Sequence, residues 1–178
     1  MARVEFEGVW VRIAAKGKPA RLAEPAWSVF EEPLRVVVLK ERHDQRAIAV
    51  WMGSADALSL LRHHRGIGDG RPVAAAVMAA LLEATGGRVD HVEITGLHDN
   101  VLRSVIQLQD DAGAVQLDAR PSDALNLAVR VGAPILVAEE AMSELAFPID
   151  QLSERLEGWQ RQDPMRWSAA NGETFRPT

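Results

Sequence analysis

The stretch from Ala114 to Ala138 constrains the fold more than any other part of this chain. A short alternating strand, Val115 to Asp118, runs into Arg120-Pro121-Ser122-Asp123; a helical segment, Gly132 and a second strand from Pro134 to Ala138 follow. Ala124, Leu127, Ala128 and Val131 recur at i, i+3, i+4 and i+7, so one face of the helix should cover a sheet. If the two strands are parallel in one sheet, the crossover between them should be right-handed.

The remaining pattern supplies more strands and two more helices. Val4 to Ile13 alternates with period two, the mark of a half-buried strand. Lys16 to Pro33 has three prolines and no clean period, and reads as an irregular insertion at about residues 16–33. Leu34 to Leu39 and Ala47 to Trp51 flank a polar pentapeptide and predict a hairpin. Gly53-Ser54 opens a helix with Asp56 in its first turn and Gly66 as its stop, and Pro72 suits the first position of a second helix ending near Ala84. Val89 to Thr95 and Val101 to Gln109 alternate as strands around the turn residues His98-Asp99-Asn100. Beyond Glu139, Leu152, Leu156 and Trp159 form one stripe. It divides the chain into a domain over 1–145 and an acidic C-terminal helix and tail over 146–178, a surface for a protein partner.

Composition excludes several functions. With no cysteine among 178 residues there is no disulfide scaffold, no thiolate metal site and no thiol catalysis. No apolar run approaches the roughly 20 residues of a membrane span, and the charged, alternating N-terminus is not a signal peptide, so a cytoplasmic protein with no membrane contact is expected. The net charge is −5, and the segment from Glu139 to Asp163 accounts for it. The rest balances at 18 acids against 18 bases, which leaves room for a local basic patch. The common phosphate-loop, dinucleotide, zinc-protease and serine-hydrolase signatures are absent.

Two clusters could carry chemistry. Around the strand–helix junction stand Asp118, Arg120, Ser122 and Asp123. A helix start favours a phosphate, and Arg120 could clamp it with two parallel hydrogen bonds. Alternatively, Asp118 and Asp123 could hold a hard divalent cation, with Asp56 as a third carboxylate. The same residues could also merely support the helix start, with Arg120 paired to either Asp. Arg62, His63, His64, Arg65 and Arg71 gather five cationic or titratable groups within ten residues. They would make a phosphate-contacting rim, or complement the negative end of their helix. Trp10 and Trp51 sit in strands and read as core or cover.

The order of motifs resembles the bifunctional nuclease (BFN) domain family. It runs Ala49-Val50-Trp51-Met52-Gly53, Asp56-Ala57, Arg71-Pro72, Val92-Glu93-Ile94-Thr95, Asp118-Ala119-Arg120-Pro121-Ser122-Asp123-Ala124 and Gly132-Ala133-Pro134-Ile135. The likeness covers roughly Val4 to Ala141, and Arg-Pro-Ser-Asp-Ala followed by Gly-Ala-Pro-Ile is its most specific part. It implies an α+β fold, a single domain whose mixed sheet is covered by helices, and cleavage of RNA and DNA by a protein that forms homo-oligomers.

On that basis a phosphodiester hydrolase using Mg²⁺ or Mn²⁺ is expected. Asp123, Asp118, Arg120 and Ser122 would be at the reacting centre, Asp56, Asp118 and Asp123 on the metal, and Arg62, His63, His64, Arg65 and Arg71 on the nucleic acid. One departure bears on this. Where the family usually continues its Arg-Pro pair with Thr-His-Asp-Leu, this chain has Ala74, Ala75 and Ala76 after Val73. A non-catalytic paralogue acting as a binding or regulatory module is therefore the alternative.

Overall fold

Alternating apolar and polar residues put Ala2–Arg12 into a strand, β1, which lies inside a mixed sheet. The structure, a computed structural model, describes residues 1–12, 35–68, 70–157 and 159–161. The insertion read at 16–33 and the end of the tail fall outside the described residues. β2 (Arg35–Glu41) and β3 (Arg46–Met52) form the expected antiparallel hairpin, with Arg35 opposite Met52 and Lys40 opposite Ala47. β4 (Arg88–His98), β5 (Val101–Asp110) and β6 (Gly113–Ala119) form an antiparallel meander. Asp99 and Asn100 turn the first of its corners with φ of 51° and 60°, the conformation a two-residue hairpin loop demands and these residue types tolerate.

β7 (Ile135–Val137) joins the two halves, pairing parallel with β4 and antiparallel with the start of β1. The strand order is β6-β5-β4-β7-β1-β2-β3-β8, β8 being Phe147–Pro148, and β9 (Trp159–Arg161) pairs the far end of β1. β6 and β7 thus run the same way in one sheet, with β5 and β4 between them. The helix linking them, α3 (Pro121–Val131), crosses both strands.

Helices α1 (Ser54–His64), α2 (Ala74–Ala84), α3 and α4 (Glu139–Leu145) supply the other elements. Pro121 opens α3, and Gly132 closes it in the left-handed region at φ 70°, where the Ala133 N–H reaches the Ala128 carbonyl at 2.9 Å. Ala124, Leu127 and Ala128 are buried as their spacing requires, and Leu125 joins them. Val131 departs from that expectation: at the last position of the helix it is 41% exposed. α2 begins two residues later than Pro72 suggests. Val73 stays extended as the N-cap, and its carbonyl accepts from the Ala76 and Val77 N–H groups.

The core has two parts. One lies between the sheet and α1, α3 and α4, and contains Val37, Leu39, Val50, Leu60, Leu61, Val92, Ile94, Leu125 and Met142. The other holds Trp10, Val36, Val38, Ala47, Phe147 and Leu156, with Trp51, Leu152 and Trp159 packed against it. β2 is buried on both faces in consequence, and each fully buried Val or Leu contributes about 1.5–3 kcal/mol.

This second cluster corrects the expected C-terminal helix. Residues Leu152–Arg155 make a single helical turn, and Trp159 lies in β9 with its ring edge-on to Trp51 at 5.3 Å. Leu152, Leu156 and Trp159 do share one side, but they reach it through a turn and a strand. They pack inward on the sheet and offer no outward stripe to a partner.

Candidate functional site

The first turn of α3 sets the site. Arg120 is its N-cap with an extended backbone, and Asp123 follows in the first turn. One turn of helix brings the two side chains together. Arg120 Nε donates to Asp123 Oδ2 at 2.8 Å and Nη2 to Oδ1 at 2.9 Å, a two-pronged pair facing solvent. Arg120 is 71% exposed. The Asp123 hydrogen bonds and charge hold the Arg120 guanidinium more firmly cationic, and Asp56 adds to the same effect.

Asp56 comes from α1, which packs beside α3. Asn126, buried one turn inside α3, donates from Nδ2 to the Asp56 carbonyl at 3.0 Å and to the Ser122 carbonyl at 2.9 Å. The two helix starts form one pole. Ser122, expected among the reacting groups, is buried beneath it. Asn126 was not among the sequence candidates, although a polar residue four positions after Ser122 on an otherwise apolar face was a visible signal.

Asp118 does not join this pole by its side chain. It lies on β6 opposite Val105, and strand alternation turns it away from Leu117, whose partner Ile106 is buried in the core layer containing α3. It is 75% exposed and lies 3.8 Å from Arg103 Nη1. Among the described residues no group of three or more His, Asp or Glu could hold a metal ion. The donor set at the pole is Asp56 and Asp123. Both Asp123 oxygens are engaged by Arg120, so the two carboxylates could serve a divalent cation only once that pair opens.

The basic cluster sits at the other end of α1. From Asp56 to His64 the helix rises about 12 Å. Arg62 Nη2 donates to the Gly68 carbonyl at 2.7 Å and so closes its own loop. His64 packs edge-on against Phe6 with ring centroids 4.5 Å apart. Burial lowers its pKa, and Arg65, Arg161 and His63 lower it further. Arg65 and Arg71 are exposed, and His63 is half-buried. Phe6 and Arg161 arrive from distant parts of the chain, and no local pattern announces them. His91 is half-buried and satisfied by Asp90, with Nδ1 2.7 Å from Oδ2.

No helix among the described residues is long and apolar enough to cross a membrane. A mixed sheet covered by helices, with an exposed arginine–carboxylate pair where two helix starts adjoin, defines an α+β protein. The family follows from the sequence that builds it: the model of the bifunctional nuclease domain matches residues 37–150, and the chain belongs to that family. The match begins inside β2 and runs to Asp150, so β1 precedes it and the end of the domain extends past Ala141. Two curated relatives, the uncharacterised proteins Rv1829 and MT1877 of the Mycobacterium tuberculosis strains H37Rv and CDC 1551, are each 26% identical over 119 residues, spanning 67% of this chain and 71% of theirs. The family assignment points to a nuclease-like, nucleic-acid-binding function.

Proposed function

We propose that this chain binds RNA or DNA and hydrolyses phosphodiester bonds at the pole formed by the first turns of α1 and α3. The observation that supports it is the Arg120–Asp123 pair. An exposed guanidinium, paired with Asp123, lies at the start of an 11-residue helix, where the helix dipole favours a phosphate. A phosphate offers Arg120 the same two-oxygen edge that Asp123 now does. Exchange of Arg120 onto the substrate frees Asp123 to accept a proton from the attacking water. The Asn126 bridge to the Asp56 main-chain carbonyl sets the start of α1 beside the start of α3. Mg²⁺ or Mn²⁺ belongs to this reading through Asp56 and Asp123, and when bound would lower the pKa of a coordinated water. His63, Arg65 and Arg71, with Arg62 and His64 more constrained, would guide the backbone along α1 without reading its sequence.

Incubating the purified chain with fluorescent single-stranded RNA and DNA in Mg²⁺, Mn²⁺ or EDTA tests the reading. Salt-sensitive binding with metal-dependent shortening of the oligonucleotide is expected. Binding without shortening in any metal would remove the hydrolytic step.

A second reading, a non-catalytic binding module, has its own support. Ala74, Ala75 and Ala76 contribute only methyl groups at the start of α2, and Arg120 and Asp123 satisfy each other as they stand. On that reading Asp123→Asn alters thermal stability and no activity.

A further inference from the structure

The end of β6 sets two arginine positions side by side. Ser104 of β5 pairs with Ala119, the last residue of β6, and its hydroxyl fixes the Ala119 carbonyl at 2.7 Å. Arg120 keeps an extended backbone, with φ −66° and ψ 144°, so the antiparallel register carries one step further and brings Arg120 beside Arg103. Directly opposed positions on neighbouring strands stand about 5 Å apart, and like charges there destabilise a sheet. Each arginine is offset by a carboxylate, but unequally. Asp123 takes both prongs of Arg120, whereas Arg103 has Asp118 at 3.8 Å, too long for a hydrogen bond. Among the described residues the Arg103 guanidinium makes no hydrogen bond, and its side chain is 49% exposed.

The sheet is bare on the other side of Arg103. Gly96 of β4 pairs opposite it next to a bulge, at φ 139°, and a Cβ placed there would meet nothing within 4 Å. β7 has already ended: its pairing with β4 stops at Val137 and Ile94, and the Ala138 N–H closes on the Ile94 carbonyl. Arg103 therefore stands between an open strip of main chain and the Arg120 position. An unbonded guanidinium beside open space suits a phosphate, which arginine grips through two parallel N–H groups. We infer that Arg103 holds the phosphate next to the one on Arg120, so that two successive phosphates of a single nucleic-acid strand lie across the ends of β5 and β6. A ligand with one phosphate fills only the Arg120 position, and the two arginines together favour a polynucleotide over a simple phosphodiester. The assignment rests on nucleic-acid binding at the pole and not on the hydrolytic step.

Fluorescence anisotropy of labelled oligothymidylate, read in EDTA so that no strand is cut, tests the full chain beside Arg103→Gln and Arg42→Gln. Arg42 is the control: it is 45% exposed, pairs with Glu5 at 3.2 Å, and follows β2, four strands and about 19 Å across the sheet from β5. Arg103→Gln should weaken binding by about 3-fold or more and flatten the slope of log K against log[salt] by about 0.7, the value of one phosphate contact on a single strand. Arg42→Gln should change neither. Circular dichroism checks that both variants are folded. Dithymidine monophosphate, with its one phosphate, should compete equally well against the wild type and Arg103→Gln. An unchanged salt slope in Arg103→Gln, an equal loss in Arg42→Gln, or a dinucleotide that competes less well against Arg103→Gln would overturn the second phosphate position and leave binding at the pole intact. A wild type that binds no oligothymidylate would overturn both.

Discussion

The Asn126 side chain donates to the main-chain carbonyl of Asp56, 70 residues away, while bonding the Ser122 carbonyl in its own helix. One buried amide thereby sets the start of α1 against the start of α3. Asn126→Ala leaves the Asp56 carbonyl without that donor and should cost about 1–3 kcal/mol in urea unfolding. Asn126→Asp should cost more, since it places a carboxylate against two carbonyl oxygens. Unchanged stability in both would refute the bridge.

Arg120 acts by the shape of its fork. Lysine keeps the charge but cannot make two parallel hydrogen bonds, so Arg120→Lys should weaken phosphate binding and cleavage at least 10-fold, by about 1.4 kcal/mol or more. Stability should hardly move, because an exposed pair is worth about 0–1 kcal/mol. Oligonucleotide affinity and the thermal midpoint of the same preparation separate the two effects. Equal affinity in the variant would exclude a bidentate role.

His64 makes stability depend on pH. Burial, Arg65, Arg161 and His63 all disfavour its imidazolium, so its pKa in the fold lies below the ordinary 6.5. The unfolded chain therefore takes up the proton first as pH falls. This contribution to stability is complete above the unfolded value and declines as pH drops through 6.5 toward the folded value, below which it levels off. Thermal midpoints of wild type and His64→Asn, compared from about pH 8 to about pH 5, should converge on the acid side. A constant gap between them would show that His64 does not titrate in this window.

Ser104 holds the junction from beneath. It is fully buried on β5, and its hydroxyl donates to the Ala119 carbonyl at 2.7 Å, at the end of β6 next to Arg120. Ser104→Ala removes that donor from a part-buried acceptor and should destabilise by about 1–2 kcal/mol. Hydrogen exchange should quicken at the β6 end of the β5–β6 pair, and unaltered protection there would contradict the role.

Much of the fold was legible because local chemistry dictates it. Alternation marked β1, β4 and β5, apolar runs around a polar turn marked β2 and β3, Gly66 and Gly132 marked helix ends, and the spacing of Ala124, Leu127 and Ala128 marked α3. What failed depended on distant partners. Leu152, Leu156 and Trp159 have a helical spacing, yet the second face of the sheet draws them into a turn and a strand, because burial against Trp10 and Phe147 outweighs local periodicity. The candidate site divides in the same way. Arg120 and Asp123 are neighbours in sequence, and their pairing was one of the readings open there. The turning away of Asp118, the arrival of Asp56 and the bridge through Asn126 follow from which strands and helices adjoin.

The central claim is that the pole carries hydrolysis. End-labelled single-stranded RNA and DNA should be cut by the wild type in Mg²⁺ or Mn²⁺ and left whole in EDTA, whereas Asp123→Asn, prepared identically and equally folded, should leave both whole in every condition. Full cleavage by Asp123→Asn would contradict the account, because the carboxylate that pairs with Arg120 would then have no part in the chemistry.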